Sequence, residues 1–193
     1  MWSRLREVLS EAVSIGVLQV AFGGGEPLTY PHLDDAIALL SPHGIGISLT
    51  TSGYQLSRSR LLDLKAMGLD HLQVSLPSDD SSRDTRARQS AHDALYAAVD
   101  ISLRCGVNLL ASRMALAGLE EQVGKLQCLG IANVNILRPK PPARDPHGWF
   151  QTHKLLAEDF ETLAGIITRL KNKHPQLSLT FDSSMSPICS VLP

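Results

Sequence analysis

The chain has 193 residues, 44% hydrophobic and 19% charged, a length and balance that suit one folded domain with a full core. A net charge of −1 leaves no basic footprint for nucleic acid or an anionic membrane surface, and no apolar run approaches the ~20 residues of a membrane helix. Three scattered cysteines, Cys105, Cys128 and Cys189, make no disulfide framework, and the charged start Met1-Trp2-Ser3-Arg4-Leu5-Arg6-Glu7 lacks a signal peptide's apolar stretch, so the cytoplasm is the expected compartment.

Leu5, Val8, Leu9, Ala12 and Val13 recur at helical spacing, which predicts a helix over 3–15. Val17–Phe22 reads as a strand and runs into Gly23-Gly24-Gly25-Glu26-Pro27. A helix over 32–41 carries Leu33, Ala36, Ile37 and Leu40 on one face, and Pro42-His43-Gly44 breaks it. A strand over 45–50 follows, ending in Thr51-Ser52-Gly53. The helix over 57–67 stops at Gly68, a C-cap residue. His71–Leu76 is the next strand, and a polar loop over 77–89 holds Asp79, Asp80, Arg83, Asp84, Arg86 and Arg88. A helix over 91–104, a strand over 107–114, a helix over 119–129 and a strand over 133–137 come next. A proline-rich loop over 138–147, a helix over 155–173 and a strand over 177–181 complete the order.

Strands that alternate with helices imply a parallel sheet with right-handed crossovers, an α/β fold. The strands read mostly as continuous apolar runs, as expected when both sheet faces are covered. In a barrel the turns Gly23–Pro27, Thr51–Gly53, Pro77–Ser82 and Arg138–Arg144 would gather at one mouth, where such folds keep their sites. No linker, repeat or charge block divides the chain, so 1–181 is expected as one domain and 182–193 as a serine-bearing tail.

The most informative segment is Gly23–Pro27. A glycine-rich turn with one carboxylate, placed where a strand hands over to a helix, suits a small molecule bearing an amino group. Glycines let the backbone approach a ligand and adopt positive φ without steric cost. Pro27 biases Glu26 toward an extended backbone. The bland alternative is a tight strand-to-helix turn.

With these elements in this order, the chain resembles the core of the radical S-adenosylmethionine (SAM) enzymes, a partial parallel (β/α) barrel. Four places carry the resemblance: Gly24-Gly25-Glu26-Pro27, Thr50-Thr51-Ser52-Gly53, Gln73-Val74-Ser75-Leu76 and Ile136-Leu137-Arg138-Pro139. It covers residues 3 to 181. It implies SAM as cofactor, with its ammonium met by Glu26 and the carbonyls of Gly24 and Gly25, next to Pro27. It further implies Thr51 and Ser52 as ribose or amine partners, and Ser75 and Arg113 as groups for the SAM carboxylate. Each of these has a plainer reading: Thr51 and Ser52 as donors to nearby backbone, Arg113 in an ordinary ion pair, Ser75 as structural.

The family's Cys-x-x-x-Cys-x-x-Cys loop, whose thiolates hold a [4Fe–4S] cluster, is absent from the 193 residues. Two expectations stay open: a chain whose first strand and cluster loop lie upstream, which would leave Val17–Phe22 an open edge, or a reduced homologue. The cluster is expected only in an intact form carrying that loop, and no residue here is assigned a catalytic or metal-binding role. Cys105 and Cys128 read as small apolar residues. Cys189 reads as a free thiol, with an auxiliary cluster as the alternative. The seven histidines lack metal-ligand spacing. The expected function is the SAM-binding portion of a radical SAM enzyme that abstracts hydrogen from a substrate, a peptide in view of the cationic 138–144 loop and the 182–193 tail. The alternatives are a clusterless accessory or peptide-binding module, and an unrelated α/β barrel enzyme with a phosphate site at Gly23–Gly25.

Overall fold

The structure, a computed structural model, describes residues 2–77, 85–145 and 147–182. The elements run α1 (Trp2–Ser14), β1 (Gln19–Phe22), α2 (Leu33–Leu40), β2 (Gly46–Thr51), α3 (Arg58–Met67), β3 (His71–Leu76), α4 (Thr85–Asp100), β4 (Arg104–Leu110), α5 (Leu116–Cys128), β5 (Asn133–Leu137), α6 (Trp149–His153), α7 (Ala157–Lys173) and β6 (Ser178–Phe181). The strands keep chain order in a parallel sheet. The expected tail beyond Asp182, with Cys189, and the loop acids Asp79, Asp80 and Asp84 lie outside the described residues.

Two compact units can be distinguished, residues 1–75 with 86–105, and residues 76–85 with 106–193. In the first, β1, β2 and β3 pair in parallel. The register sets Phe22, Leu49 and Leu72 in one row and Ala21, Ser48 and His71 in the next. Residues in register on parallel strands share a face. Leu49, Leu72 and Val74 are fully buried, together with Ile37, Leu40, Leu61, Leu64 and Leu95 from the helices. α3 starts at Ser57, whose hydroxyl accepts from the Arg60 amide, and ends at Gly68 with φ 118°, as its sequence implies.

The second unit holds β4 from Gly106 onward, β5 and β6 in parallel register, with Val107, Val134 and Leu179 in one row and Asn108, Asn135 and Thr180 in the next. Val107, Leu109, Ile136, Leu163 and Ile167 are buried. At the start of α7, Asp159 reaches back to accept from the Leu156 amide at 2.8 Å.

The strands are not covered alike on both faces, contrary to the expectation from their apolar runs. In β3 the burial alternates strictly, with Leu72, Val74 and Leu76 buried and His71, Gln73 and Ser75 half-buried. The second unit repeats the pattern in its Asn108–Asn135–Thr180 row, which is joined by side-chain hydrogen bonds: Asn135 Nδ2 donates to Asn108 Oδ1 at 3.1 Å, and Thr180 Oγ1 donates to Asn135 Oδ1 at 3.2 Å. One face of each strand set is mainly apolar and buried; the other carries polar side chains, of which Ser48 on β2 is itself buried. Boundaries differ too: α4 ends at Asp100 and β4 begins at Arg104, because Ser102 takes φ 54° and turns the chain early. The short α6 after Gly148, φ 62°, falls between the predicted loop and the predicted last helix.

Gly53 shows how tightly the end of β2 is seated. It has φ 79°, and a Cβ there would lie 2.9 Å from Ala91 Cα and 3.1 Å from Ala94 Cβ on α4. Neither neighbour is a flexible tip that can swing aside. Gly53→Ala is expected to destabilise the chain by about 1–3 kcal/mol, measured as a lower denaturant midpoint at unchanged m-value.

Candidate functional site

The loop after β1 turns at Gly24, φ 107°, and presents Gly23, Gly24 and Gly25 to solvent. A Cβ on Gly24 or Gly25 would meet nothing within 4 Å, so their flank is open space. Glu26 follows in extended backbone, φ −110° and ψ 106°, as the next residue's ring requires, and caps a one-turn 3-10 helix over Pro27–Thr29. Pro27 is buried beneath the turn.

The Glu26 side chain is the centre of the corner. Its Oε1 accepts from Thr51 Oγ1 at 2.7 Å and from the Leu28 amide at 3.3 Å. Its Oε2 accepts from the Ser52 amide at 2.9 Å and from Ser52 Oγ at 2.6 Å. A carboxylate offers about four acceptor positions, so protein donors use essentially all of them. Burial on its own pushes this carboxyl up. The hydrogen bonds from the Ser52 hydroxyl, the Ser52 amide, the Thr51 hydroxyl and the Leu28 amide outweigh it, and the group lies below its ordinary value. Glu26 is therefore ionised at neutral pH and fixed in place.

The arrangement sets exposed glycine carbonyls beside a fixed negative charge. That combination suits an ammonium: the carbonyls accept its N–H bonds and the carboxylate supplies the field.

The structure brings Glu26, Thr51 and Ser52 into direct contact, and gives the two hydroxyls a partner within the protein. Thr51 Oγ1 also accepts from the Gly53 amide at 3.0 Å. Ser75 lies near the end of β3, on the His71–Gln73 face. Arg113 belongs to the second unit. There its Nη2 meets Glu158 Oε1 at 3.1 Å, its Nε lies 3.7 Å from Asp159, and its amide donates to His153 O at 3.0 Å. Sequence reasoning misses the polar rows of the sheet, His71 and Gln73 in one unit and Asn108, Asn135 and Thr180 in the other. Their signal is the alternation in His71–Leu76 and Asn133–Leu137.

The described cysteines do not fit a [4Fe–4S] cluster. Cys105 is half-buried on β4 with its thiol pushed up by burial, whereas cluster ligands are thiolates, and Cys128 is exposed at the end of α5 in the other unit. Among the described residues, no helix is long and apolar enough to cross a membrane.

Comparison with known proteins gives these features their family. The description "Radical SAM superfamily" matches residues 2–122, and the chain belongs to that superfamily. Its members use SAM with a [4Fe–4S] cluster. A PqqA peptide cyclase of Streptomyces rochei is 31% identical over 126 residues, 65% of this chain and 35% of that protein. The chain thus spans roughly a third (35%) of that curated relative's length. Among solved structures, Streptococcus suis SuiB bound to S-adenosylmethionine superposes with a TM-score of 0.74 at 16% identity, covering 93% of this chain and 43% of that one. SuiB bound to its precursor peptide SuiA gives 0.73 at 18% identity, covering 95% and 43%. These likenesses show the fold, the partial parallel barrel of radical SAM type.

The pH dependence of the Glu26 corner follows from its lowered pKa. The folded value lies below the unfolded one, so the stabilisation is present above the unfolded value and is lost as pH falls through the folded value. Glu26→Gln is expected to be less stable than the parent by about 1 kcal/mol at pH 7, since the corner is partly solvent-screened. The gap should close on acidification below pH ~4. Urea unfolding across that range measures it.

Proposed function

We propose that this chain is the SAM-binding portion of a radical SAM enzyme that modifies a peptide. The single observation carrying the SAM reading is the corner in which the exposed glycines Gly23–Gly25 adjoin the hydrogen-bonded Glu26 carboxylate. In this reading Gly24 and Gly25 accept from the SAM ammonium, Glu26 supplies its counter-charge, and Pro27 holds the turn. Thr51 and Ser52 orient Glu26. Ser75 is assigned to the SAM carboxylate. One-electron cleavage of SAM to methionine and a 5′-deoxyadenosyl radical is the chemistry the cluster supplies in this family. Its three thiolates would come from outside these 193 residues, which hold no Cys-x-x-x-Cys-x-x-Cys.

The peptide substrate is supported by relatives named PqqA peptide cyclase and by the SuiB structure with a precursor peptide. The cationic Arg138–Arg144 loop adds no independent support, because Lys140 is paired with Asp182 at 2.9 Å.

Calorimetry on the 193-residue chain tests the SAM site. SAM and S-adenosylhomocysteine are expected to bind, and 5′-methylthioadenosine, which lacks the ammonium and carboxylate, to bind at least about tenfold more weakly. Glu26→Gln should narrow that difference by weakening SAM and S-adenosylhomocysteine but not 5′-methylthioadenosine. Absence of saturable SAM binding, or equal affinity for 5′-methylthioadenosine, would overturn the assignment. Binding of inorganic phosphate in place of SAM would favour the phosphate-site alternative.

A further inference from the structure

The first unit holds a cavity at the ends of its strands opposite the Glu26 corner. Its volume is about 480 Å3, and Gln19, Gly46, His71 and Arg104, the first residues of β1 to β4, all line it. β2 spans six residues from this cavity to the Glu26 corner, so roughly 16 Å of strand separates the two. The sites are distinct, and the chemistry of this cavity does not depend on the SAM reading.

The cavity joins two potential cations without a carboxylate between them. Arg104 is exposed, and among the described residues no hydrogen bond or ion pair engages its guanidinium. His71 is half-buried, and its ring likewise has no hydrogen-bond partner among them. Asp70 is the one carboxylate in the lining, and its Oδ2 is turned to the backbone, accepting from the Ile47 amide at 2.7 Å. Asp70 and Arg104 are the other titratable groups facing the cavity. Backbone leaves room here: Gly44, φ 67°, carries open space on its flank, and Gly46 faces the cavity without a side chain. Two other arginines of this unit are paired with carboxylates. Arg58 meets Asp100 at 2.7 Å, and Arg60 forms a two-point pair with Asp34.

We propose that this cavity binds a small oxyanion, a carboxylate or phosphate group, between the Arg104 guanidinium and the His71 imidazole. Arginine presents a planar fork of donors that matches two oxygens of such a group. The imidazole donates a further hydrogen bond once protonated. The electrostatics agree with the geometry. Burial, and then the Arg104 charge, hold the His71 imidazolium below its ordinary pKa. An anion lodged between the two groups replaces repulsion by attraction. Anion binding and protonation of His71 therefore favour each other reciprocally.

Titration of the 193-residue chain with inorganic phosphate, and separately with acetate, tests this. Ionic strength is held with chloride, and the histidine ring protons are followed by NMR; His71→Gln identifies the His71 signal by its loss. We expect a saturable shift of that signal and of the Gly44 and Gly46 amides, and a rise of the His71 pKa by about one unit at saturation. Arg104→Gln, an exposed change that leaves the core intact, should weaken binding about tenfold or more and raise the His71 pKa in anion-free buffer. Saturation by phosphate alone assigns a phosphate-bearing ligand, by acetate alone a carboxylate, and by both the shared chemistry. A linear drift equal to that of chloride, or affinity unchanged in Arg104→Gln, would overturn the proposal.

Discussion

The hydrogen bonds that Glu26 receives from Thr51 and Ser52 tie the loop after β1 to the end of β2, and the order of the first unit's upper rim depends on them. The two hydroxyls act as relays. Gly53 N–H donates to Thr51 Oγ1, which donates to Glu26 Oε1; Tyr54 N–H donates to Ser52 Oγ, which donates to Glu26 Oε2. Gly53 in turn sits against the backbone of α4. A glycine-rich loop has high conformational freedom, and fixing it costs more than fixing other sequences. One ionised side chain with four donors offsets part of that cost and leaves the glycines themselves unobstructed. The loop is held from behind, by its carboxylate, while its carbonyls stay available in front.

The sheet contributes the other constraint. Alternation in β3, and in the Asn108–Asn135–Thr180 row, sorts apolar side chains to the helix-covered face and polar ones to the opposite face. The Asn–Asn–Thr chain shows that the polar face is organised: each amide oxygen in it accepts from its neighbour's side chain. Such a face tolerates polar ligands because its own hydrogen bonds are already satisfied in part, and the remaining donors and acceptors can turn outward.

Much of the fold is legible in the sequence because its signals are local. The apolar face of α2, Gly68 as a cap, and the order of strands and helices follow from periodicity and punctuation. Glu26 and its glycines are legible for the same reason, being contiguous. Its partners are legible only as neighbours in kind: nothing within Thr51–Ser52 states that their hydroxyls point to a carboxylate 25 residues earlier. The polar sheet face escapes a sequence reading for a different reason. A strand such as Arg104–Leu110 contains enough apolar residues to look uniformly buried, and the meaning of Asn108 emerges only when β5 places Asn135 beside it. The end of α4 is hard to place because a serine, not a glycine, takes the left-handed turn at Ser102.

The two ends of β2 thus carry opposite electrostatic conditions. At Thr51 a negative charge is surrounded by donors from its own chain, and it serves as an anchor whose field persists whether or not a ligand is bound. At Gly46 the charges are positive, Arg104 and protonatable His71, and among the described residues neither has a protein acceptor. A charge saturated by its own fold can shape a site but has little left to give a ligand directly; a charge left to water can exchange that water for a ligand. The distinction assigns different work to the two ends of one short strand. In the SAM reading the glycine carbonyls, not the Glu26 oxygens, would be the direct acceptors at one end, and in the oxyanion proposal the Arg104 fork would be the direct donor at the other.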